Sequence, residues 1–220
     1  MKRTIIIGDV HGCYSELETL ISKVDFKPSQ DRLIFVGDLI NRGPNSRAVL
    51  EYVRSLGAES VIGNHELAFL SYLSNDKKNT SFDQVKASLG RDLKNWKDWI
   101  KNLPSYIDEK KFLVVHAGLP PGKNLKKCDR KTLATIRTWD GEGRDLNNPD
   151  NPPWYQFYKD SKLIVYGHWA KNGLTIRRNT IGLDSGCVYG GKLSALILPD
   201  RKVIQVPALA VHYDPTPLLS

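Results

Sequence analysis

The 220-residue sequence predicts an α/β protein, a two-sheet sandwich built from βαβ units, with mostly parallel strands, a second mixed sheet and flanking helices. Three observations carry that expectation. Short β-branched runs closed by glycine alternate with helix-length amphipathic segments through the first third of the chain. The later part trades helices for short strands joined by turns. Hydrophobic residues make up 40% of the chain and aromatic residues 9%, the composition of a packed core and not of a disordered chain.

Taken in order, Arg3–Gly8 is a buried strand, and Ser15 with Glu18 has the form of a capping box that opens a helix toward Val24. Arg32–Gly37 is a second strand and Ser46–Leu56 a second helix. Glu59–Gly63 is a third strand, and Glu66–Leu73 begins a third helix. Asp76–Thr80 is polar and turn-like. Ser81 with Gln84 caps an amphipathic helix expected to reach Leu103, where Pro104 stops it. Lys111–His116 is another strand. The Gly-, Asn-, Asp- and Pro-rich stretch Gly141–Pro153 is a long loop, a lid or a flexible connection. Lys162–Tyr166, Leu174–Arg178, Lys192–Leu198 and Lys202–Val206 are short strands assigned to the second sheet. No repeat or low-complexity tract interrupts the chain, and a single domain over residues 1–220 is expected.

Composition bounds the function. No apolar run approaches the ~20 residues of a membrane span. The start Met1–Ile5 resembles the opening of a signal peptide but is cut off by Asp9 and His11 before it reaches that length, so a cytoplasmic protein without a membrane partner is expected. Cys13, Cys128 and Cys187 are odd in number and far apart in sequence, which argues against a disulfide framework and a thiolate zinc site and for reduced, structural thiols. The net charge of +8 favours polyanions, although a basic surface also serves solubility alone.

The chemistry sits at the strand ends. The first strand ends in Gly8-Asp9-Val10-His11, the second in Gly37-Asp38, the third in Gly63-Asn64-His65, the Lys111–His116 strand in His116-Ala117-Gly118, and Lys162–Tyr166 in Gly167-His168. Four of the chain's five histidines occupy such turns. A lone histidine there is usually a hydrogen-bonding residue, whereas four beside Asp9, Asp38 and Asn64 point to metal ligation. In α/β sheets the carboxyl ends of strands gather at one edge, where ligands bind.

These motifs resemble those of the calcineurin-like metallophosphoesterases: GDVHG (8–12), GDLINRG (37–43), GNHE (63–66), VHAG (115–118) and GH (167–168). More narrowly, GDLINRGP, YGHWA (166–170) and LDSGCVYGGKL (183–193) are similar to symmetrical diadenosine tetraphosphate hydrolases, although this chain is shorter between Leu119 and Tyr166. The resemblance implies two divalent metal ions. Asp9 and His11 would hold the first, Asp38 would bridge both, and Asn64, His116 and His168 would hold the second. Mixed carboxylate, amide and imidazole ligands suit Mn, Fe, Co or Zn, and a hydroxide between the metals would attack phosphorus.

Roles follow for the remaining residues. Arg42 is expected to fork phosphate oxygens, with a surface salt bridge as its plain alternative. Arg137, in TIRTWD, is a second phosphate ligand or else a helix-surface arginine. His65 is the expected general acid, or a histidine that props up neighbouring ligands. Related phosphoprotein phosphatases carry aspartate where this chain has Asn41. A neutral amide gives His65 no ionic partner, which favours a phosphate leaving group over an alcohol. Trp139, Trp154, Tyr155, Trp169 and Tyr189 are aromatics able to stack on a base, with Trp169 and Tyr189 ranked first. Asp184 is read either as orienting a ligand histidine or as capping a turn. The basic clusters Lys126–Lys131 and Arg177–Arg178 are solvated faces or contacts for a longer polyanion.

The expected activity is therefore dimetal hydrolysis of a phosphoanhydride in a nucleotide or polyphosphate substrate, diadenosine tetraphosphate giving two ADP. The alternatives are a Ser/Thr or Tyr phosphoprotein phosphatase, removal of a nucleoside-polyphosphate cap from an RNA 5′ end, and a catalytically silent nucleotide-binding module.

Overall fold

The computed structural model describes residues 3–75 and 79–215. The first third alternates as expected: β1 (Arg3–Ile7), α1 (Tyr14–Lys23), β2 (Asp31–Phe35), α2 (Ser46–Ser55), β3 (Glu59–Ser60) and α3 (Asn64–Tyr72). Two helices follow, α4 (Thr80–Leu89) and α5 (Leu93–Lys101), and then β4 (Tyr106–Asp108), β5 (Phe112–Val115) and α6 (Arg130–Thr135). The chain ends in β6 (Leu163–Tyr166), β7 (Thr175–Ile176), β8 (Thr180–Gly182), β9 (Lys192–Leu198) and β10 (Lys202–Pro207).

The strands form two five-stranded sheets, ordered β10-β9-β1-β2-β3 and β4-β5-β6-β8-β7. β1, β2 and β3 run parallel, as do β5, β6 and β8, while β9, β10, β4 and β7 join antiparallel. Strand alternation sorts the core. Ile5 and Ile7 face the helices with Leu33 and Phe35, whereas Ile6 and Ile34 face the second sheet and meet Val114, Val165 and Ile181 there. The far face of the second sheet is covered by α6 and the indoles of Trp139 and Trp154. Full burial of one such aliphatic side chain is worth roughly 1.5–3 kcal/mol, which is why the strand register is well specified.

Several expectations are corrected. Lys192–Leu198 and Lys202–Val206 complete the first sheet, not the second: β9 lies antiparallel beside β1 and makes a hairpin with β10. The helix expected to run from Ser81 to Leu103 breaks at Gly90, whose φ of 51° lets the chain turn through Gly90–Asp92 before α5. Its cap is Asn79, which accepts the Phe82 N–H, and not Ser81. The capping box at Ser15 does not form, because α1 already starts at Tyr14 behind Cys13 and so Ser15 lies inside the first turn. The strand expected over Leu174–Arg178 shortens to β7, and β4, β8 and α6 were not anticipated. In the expected turn Asp76–Thr80, residues 76–78 lie outside the described residues. No helix of the described residues is long and apolar enough to cross a membrane.

Candidate metal centre

The predicted strand ends are stitched together across the two sheets. The Gly167 N–H donates to the His116 carbonyl at 2.7 Å, and the Leu183 N–H donates to the Tyr166 carbonyl at 2.7 Å. The His168 N–H reaches both Asp9 carboxylate oxygens, at 3.2 and 3.0 Å. His11 and Val10 donate their N–H groups to the Asp38 carbonyl. The His65 N–H, at the start of α3, donates to Asp38 Oδ1 at 2.9 Å, so a helix N-terminus steadies this carboxylate.

Donor atoms gather in two overlapping triads. Ligand atoms of His11, Asp38 and His65 lie within 4.8 Å of one another, and so do those of Asp38, His116 and His168. Asp38 is common to both. His11 Nε2 and His116 Nε2 approach Asp38 Oδ2 at 3.5 and 3.4 Å. Asn64 Oδ1 meets His116 Nε2 at 2.9 Å and His168 Nδ1 at 2.7 Å. Asp9 joins through its bond to the His168 N–H. Five of the six expected ligands thus meet around Asp38, whereas Asp9, tied in through the His168 N–H, stands outside both triads, and His65 takes the third place beside His11 and Asp38.

The ring orientations fit a cation. His116 Nδ1 donates to the Val36 carbonyl at 2.8 Å, which leaves the Nε2 lone pair of the neutral ring facing the oxygens of Asp38 and Asn64. His11 Nδ1 lies 3.2 Å from the Ile40 carbonyl, so its Nε2 is likewise turned on Asp38. His168 Nε2 is buried without a partner. Lone pairs aimed at lone pairs are relieved by protonation or by a cation. Burial would depress His116, but the charge and hydrogen bond of Asp38 outweigh it and hold the ring up at about 10. Burial lowers His11 to about 3 and also lowers His168 and His65. Asp38, which burial would raise, is held well below the carboxylate range by His116, His65 and His11. Burial and the neighbouring Asp184 push Asp9 up. The donors are nitrogen and oxygen only, which suits Mn, Fe, Co or Zn.

Backbone strain collects in the same turns. Positive φ angles occur at His11 (48°), Asp38 (50°), Asn41 (77°), Arg42 (69°) and His168 (72°), and elsewhere among described non-glycine residues only at Asp25 and Arg201. Two glycines permit the close approach: a Cβ at Gly63 would collide with the Asp38 carboxylate, and one at Gly167 with that of Asp9.

Sequence reasoning gave Glu66 no role, yet it organises the centre. Its fully buried carboxylate accepts the N–H groups of Asp38 and Gly63 on Oε2 and of Leu39 and Ile40 on Oε1. The only signal was an acid inside GNHE, one residue after His65. Asn41 Oδ1 accepts the Arg42 N–H at 2.8 Å and the Ser81 hydroxyl, which turns its amide nitrogen toward His65 Nδ1 at 2.9 Å. That network assigns the ring proton of neutral His65 to Nε2.

Arg42, Arg137, Trp169 and Tyr189 all line one cavity of about 1080 Å³ together with His11, Asp38 and His168. The Arg42 guanidinium lies 5.4 Å from the ring centre of Tyr189 and 5.3 Å from that of Tyr213. Tyr213 follows the last strand in a segment without periodicity, and nothing in the sequence marked it. Burial and nearby Arg42 lower Arg137, so two guanidinium groups serve one cavity. Three of the five aromatic candidates fall elsewhere. Trp139 and Trp154 are core, with Trp154 Nε1 donating to the Ala117 carbonyl, and Tyr155 packs on Arg177. Asp184 caps a turn through the Gly186 N–H at 3.1 Å. Arg130 caps the end of α5 by donating to the carbonyls of Lys101 and Leu103. The 141–153 stretch is folded around Asp140, whose carboxylate accepts the N–H groups of Glu142, Gly143, Arg144 and Asp145.

A two-sheet sandwich whose strand ends gather imidazole, amide and carboxylate donors beside paired arginines defines a metal-dependent phosphoester or phosphoanhydride hydrolase. The comparisons agree. The sequence profile of the calcineurin-like phosphoesterases matches residues 2–204, and the chain belongs to that family. It is 34% identical to a symmetrical bis(5'-nucleosyl)-tetraphosphatase of Aromatoleum aromaticum, covering 92% of this chain and 96% of that protein. A protein of the same name from Janthinobacterium sp. is 31% identical, covering 92% of this chain and 95% of that one. Among solved structures, one provisionally assigned as a diadenosine tetraphosphatase superposes with a TM-score of 0.85 at 34% identity, over 94% of each chain. A cold-active protein-tyrosine phosphatase of a Shewanella species, 17% identical with a TM-score of 0.60 over 94% of this chain and 80% of that one, shares the fold.

Proposed function

We propose that this protein cleaves dinucleoside polyphosphates at a phosphoanhydride, with diadenosine tetraphosphate split symmetrically into two ADP. The observation that carries the reading is Asp38, shared by two donor triads on the floor of a cavity that Arg42 and Arg137 also line. Asp9, His11 and Asp38 would hold one divalent cation, and Asp38, Asn64, His116 and His168 the other. Bound ions of the Mn, Co, Fe or Zn class would supply the charge that acidifies water and neutralises phosphoryl oxygens. Arg42 forks non-bridging oxygens, and its two tyrosine neighbours limit the rotamers it can adopt. Arg137 meets the further phosphates. His65 presents an Nε2 proton toward the leaving oxygen, while the neutral Asn41 keeps the ring from persisting as imidazolium. A phosphate leaving group needs no strong acid, so this arrangement favours an anhydride over a phosphoprotein ester. Trp169 and Tyr189 offer stacking faces for a base.

The relatives' names support the same substrate class. The net charge of +8 also suits the cap of an RNA 5′ end, which presents the same anhydride on a larger polyanion. A cytoplasmic setting fits three free thiols. The test is product analysis on diadenosine tetraphosphate with Mn²⁺ or Co²⁺. ADP alone is expected; ATP with AMP would refute symmetrical cleavage, and neither product would refute the substrate class.

A further inference from the structure

Behind the ligand loops lies a second group of donors that the hydrolytic centre does not use. Cys13 immediately precedes α1, Glu16 lies in its first turn, and Cys187 belongs to the turn that follows Asp184. Cys187 is far from the other two in sequence, yet one ligand atom from each lies within 4.8 Å of the other two. All three are buried, with exposures of 0, 2 and 2%. A fourth donor arrives from the tail after β10: His212 Nε2 sits 2.7 Å from Glu16 Oε1, which also accepts the Leu209 N–H at 3.0 Å.

We propose that Cys13, Glu16, Cys187 and His212 form a site for one borderline-soft divalent cation of the zinc class, separate from the hydrolytic pair. Two sulfurs, one carboxylate oxygen and one imidazole nitrogen form a tetrahedral zinc donor set. Bond lengths of about 2.3 Å to sulfur and 2.0 Å to oxygen and nitrogen put tetrahedral neighbours about 3.3–3.8 Å apart, so closing the Cys13–Glu16–Cys187 cluster takes shifts of about an ångström, while His212 would enter from its place on Glu16. Hard cations such as Mg²⁺ and Mn²⁺ prefer oxygen ligands, whereas the hydrolytic centre has no sulfur, and softness therefore tells the two sites apart. The Cys187 thiol, hydrogen-bonded to Cys13 and buried, is held above the usual thiol range, and a thiol binds such an ion only as thiolate, so binding releases protons.

The site has a structural consequence. His212 and Tyr213 donate their N–H groups to the Val188 carbonyl, and the Tyr213 ring packs against Arg42. An ion joining α1, the Cys187 turn and His212 would fix the tail that carries Tyr213, and so the wall of the substrate cavity.

The test is a Cd²⁺ titration of the reduced full-length protein, stripped with chelator and preloaded with Mn²⁺, followed by ultraviolet sulfur-to-metal absorption. One equivalent with that absorption is expected. It should persist in Cys128→Ser, disappear in the Cys13→Ser/Cys187→Ser double variant, and weaken at least tenfold in Glu16→Gln. X-ray absorption on the wild type, which needs no variant to fold, should find two sulfur neighbours around the ion. Absence of the absorption, its persistence in a folded double variant, its loss in Cys128→Ser, an unchanged affinity in Glu16→Gln, or an ion without two sulfur neighbours would each overturn the site.

Discussion

Replacing Glu66 with glutamine removes a charge and swaps one oxygen for NH₂ with almost no change in shape. The carboxylate serves four buried N–H groups, two on each oxygen: Asp38 and Gly63 at 2.9 Å each on Oε2, and Leu39 at 2.9 Å and Ile40 at 3.3 Å on Oε1. An amide can satisfy only the pair facing its oxygen and turns donors on the other pair. Two buried N–H groups left without acceptors cost about 1–3 kcal/mol each, hence about 2–6 kcal/mol, against a typical domain stability of about 5–15 kcal/mol. Urea unfolding at pH 8 with chelator present measures this directly. That pH lies above the value of about 7 to which burial pushes Glu66, so the carboxylate is the reference form. With a slope of about 2 kcal/mol per molar urea, the midpoint should fall by about 1–3 M at unchanged slope. A loss below about 0.5 kcal/mol would refute the claim that this carboxylate holds the two ligand loops together.

Other perturbations separate the roles. Asp38→Asn should lower metal-dependent turnover by more than the roughly 10–100-fold that outer-sphere partners cost, and calorimetry should find both cation sites weakened; near-wild-type turnover would remove Asp38 from the bridging role. Arg42→Ala should raise KM and lower kcat, reducing kcat/KM about 10–100-fold for the 1.5–3 kcal/mol of a charge-assisted bond, and an intact kcat/KM would exclude a phosphate contact. Asn41→Asp places a carboxylate against His65 Nδ1 and favours imidazolium. The ratio of alkyl-ester to anhydride turnover should then rise, and a constant ratio would defeat the leaving-group argument. Asp140 is held down at about 2, by the Asp145 N–H foremost, against an ordinary value of 3.8. A depressed acid contributes stability above its unfolded value and loses it as pH falls through the folded one. The protection of the Glu142–Asp145 amides, measured against their intrinsic exchange rates, should therefore hold at pH 5 and fall between about pH 4 and 2; earlier loss of protection would contradict the loop's dependence on this carboxylate.

The candidate metal centre was largely legible in the sequence because its proposed ligands are local events: a strand, a glycine and a donor at each strand end. Asp9, His11, Asp38, Asn64, His116 and His168 follow that grammar, and parallel strands carry their ends to one edge. What escaped depends on long-range closure. Nothing local in Lys192–Leu198 says which sheet it joins, since the choice rests on pairing with β1 almost the whole chain away. Gly90 interrupts an otherwise continuous apolar stripe by one backbone angle. Trp139 and Trp154 have the composition of a base platform but are consumed by packing over the second sheet. Glu66 reaches Asp38, Leu39 and Ile40, and Tyr213 reaches Arg42, across sequence distances no motif spans. The cysteines lie far apart in sequence with no ligand spacing, whereas the fold brings Cys13 to Cys187.

If six side chains hold two cations around a shared Asp38, anomalous diffraction from a crystal soaked in Mn²⁺ should show two peaks roughly 3.5–4 Å apart, both within coordination distance of Asp38, one flanked by Asp9 and His11 and the other by Asn64, His116 and His168. An absent second peak, or a pair of ions that leaves Asp38 uncoordinated, would contradict it.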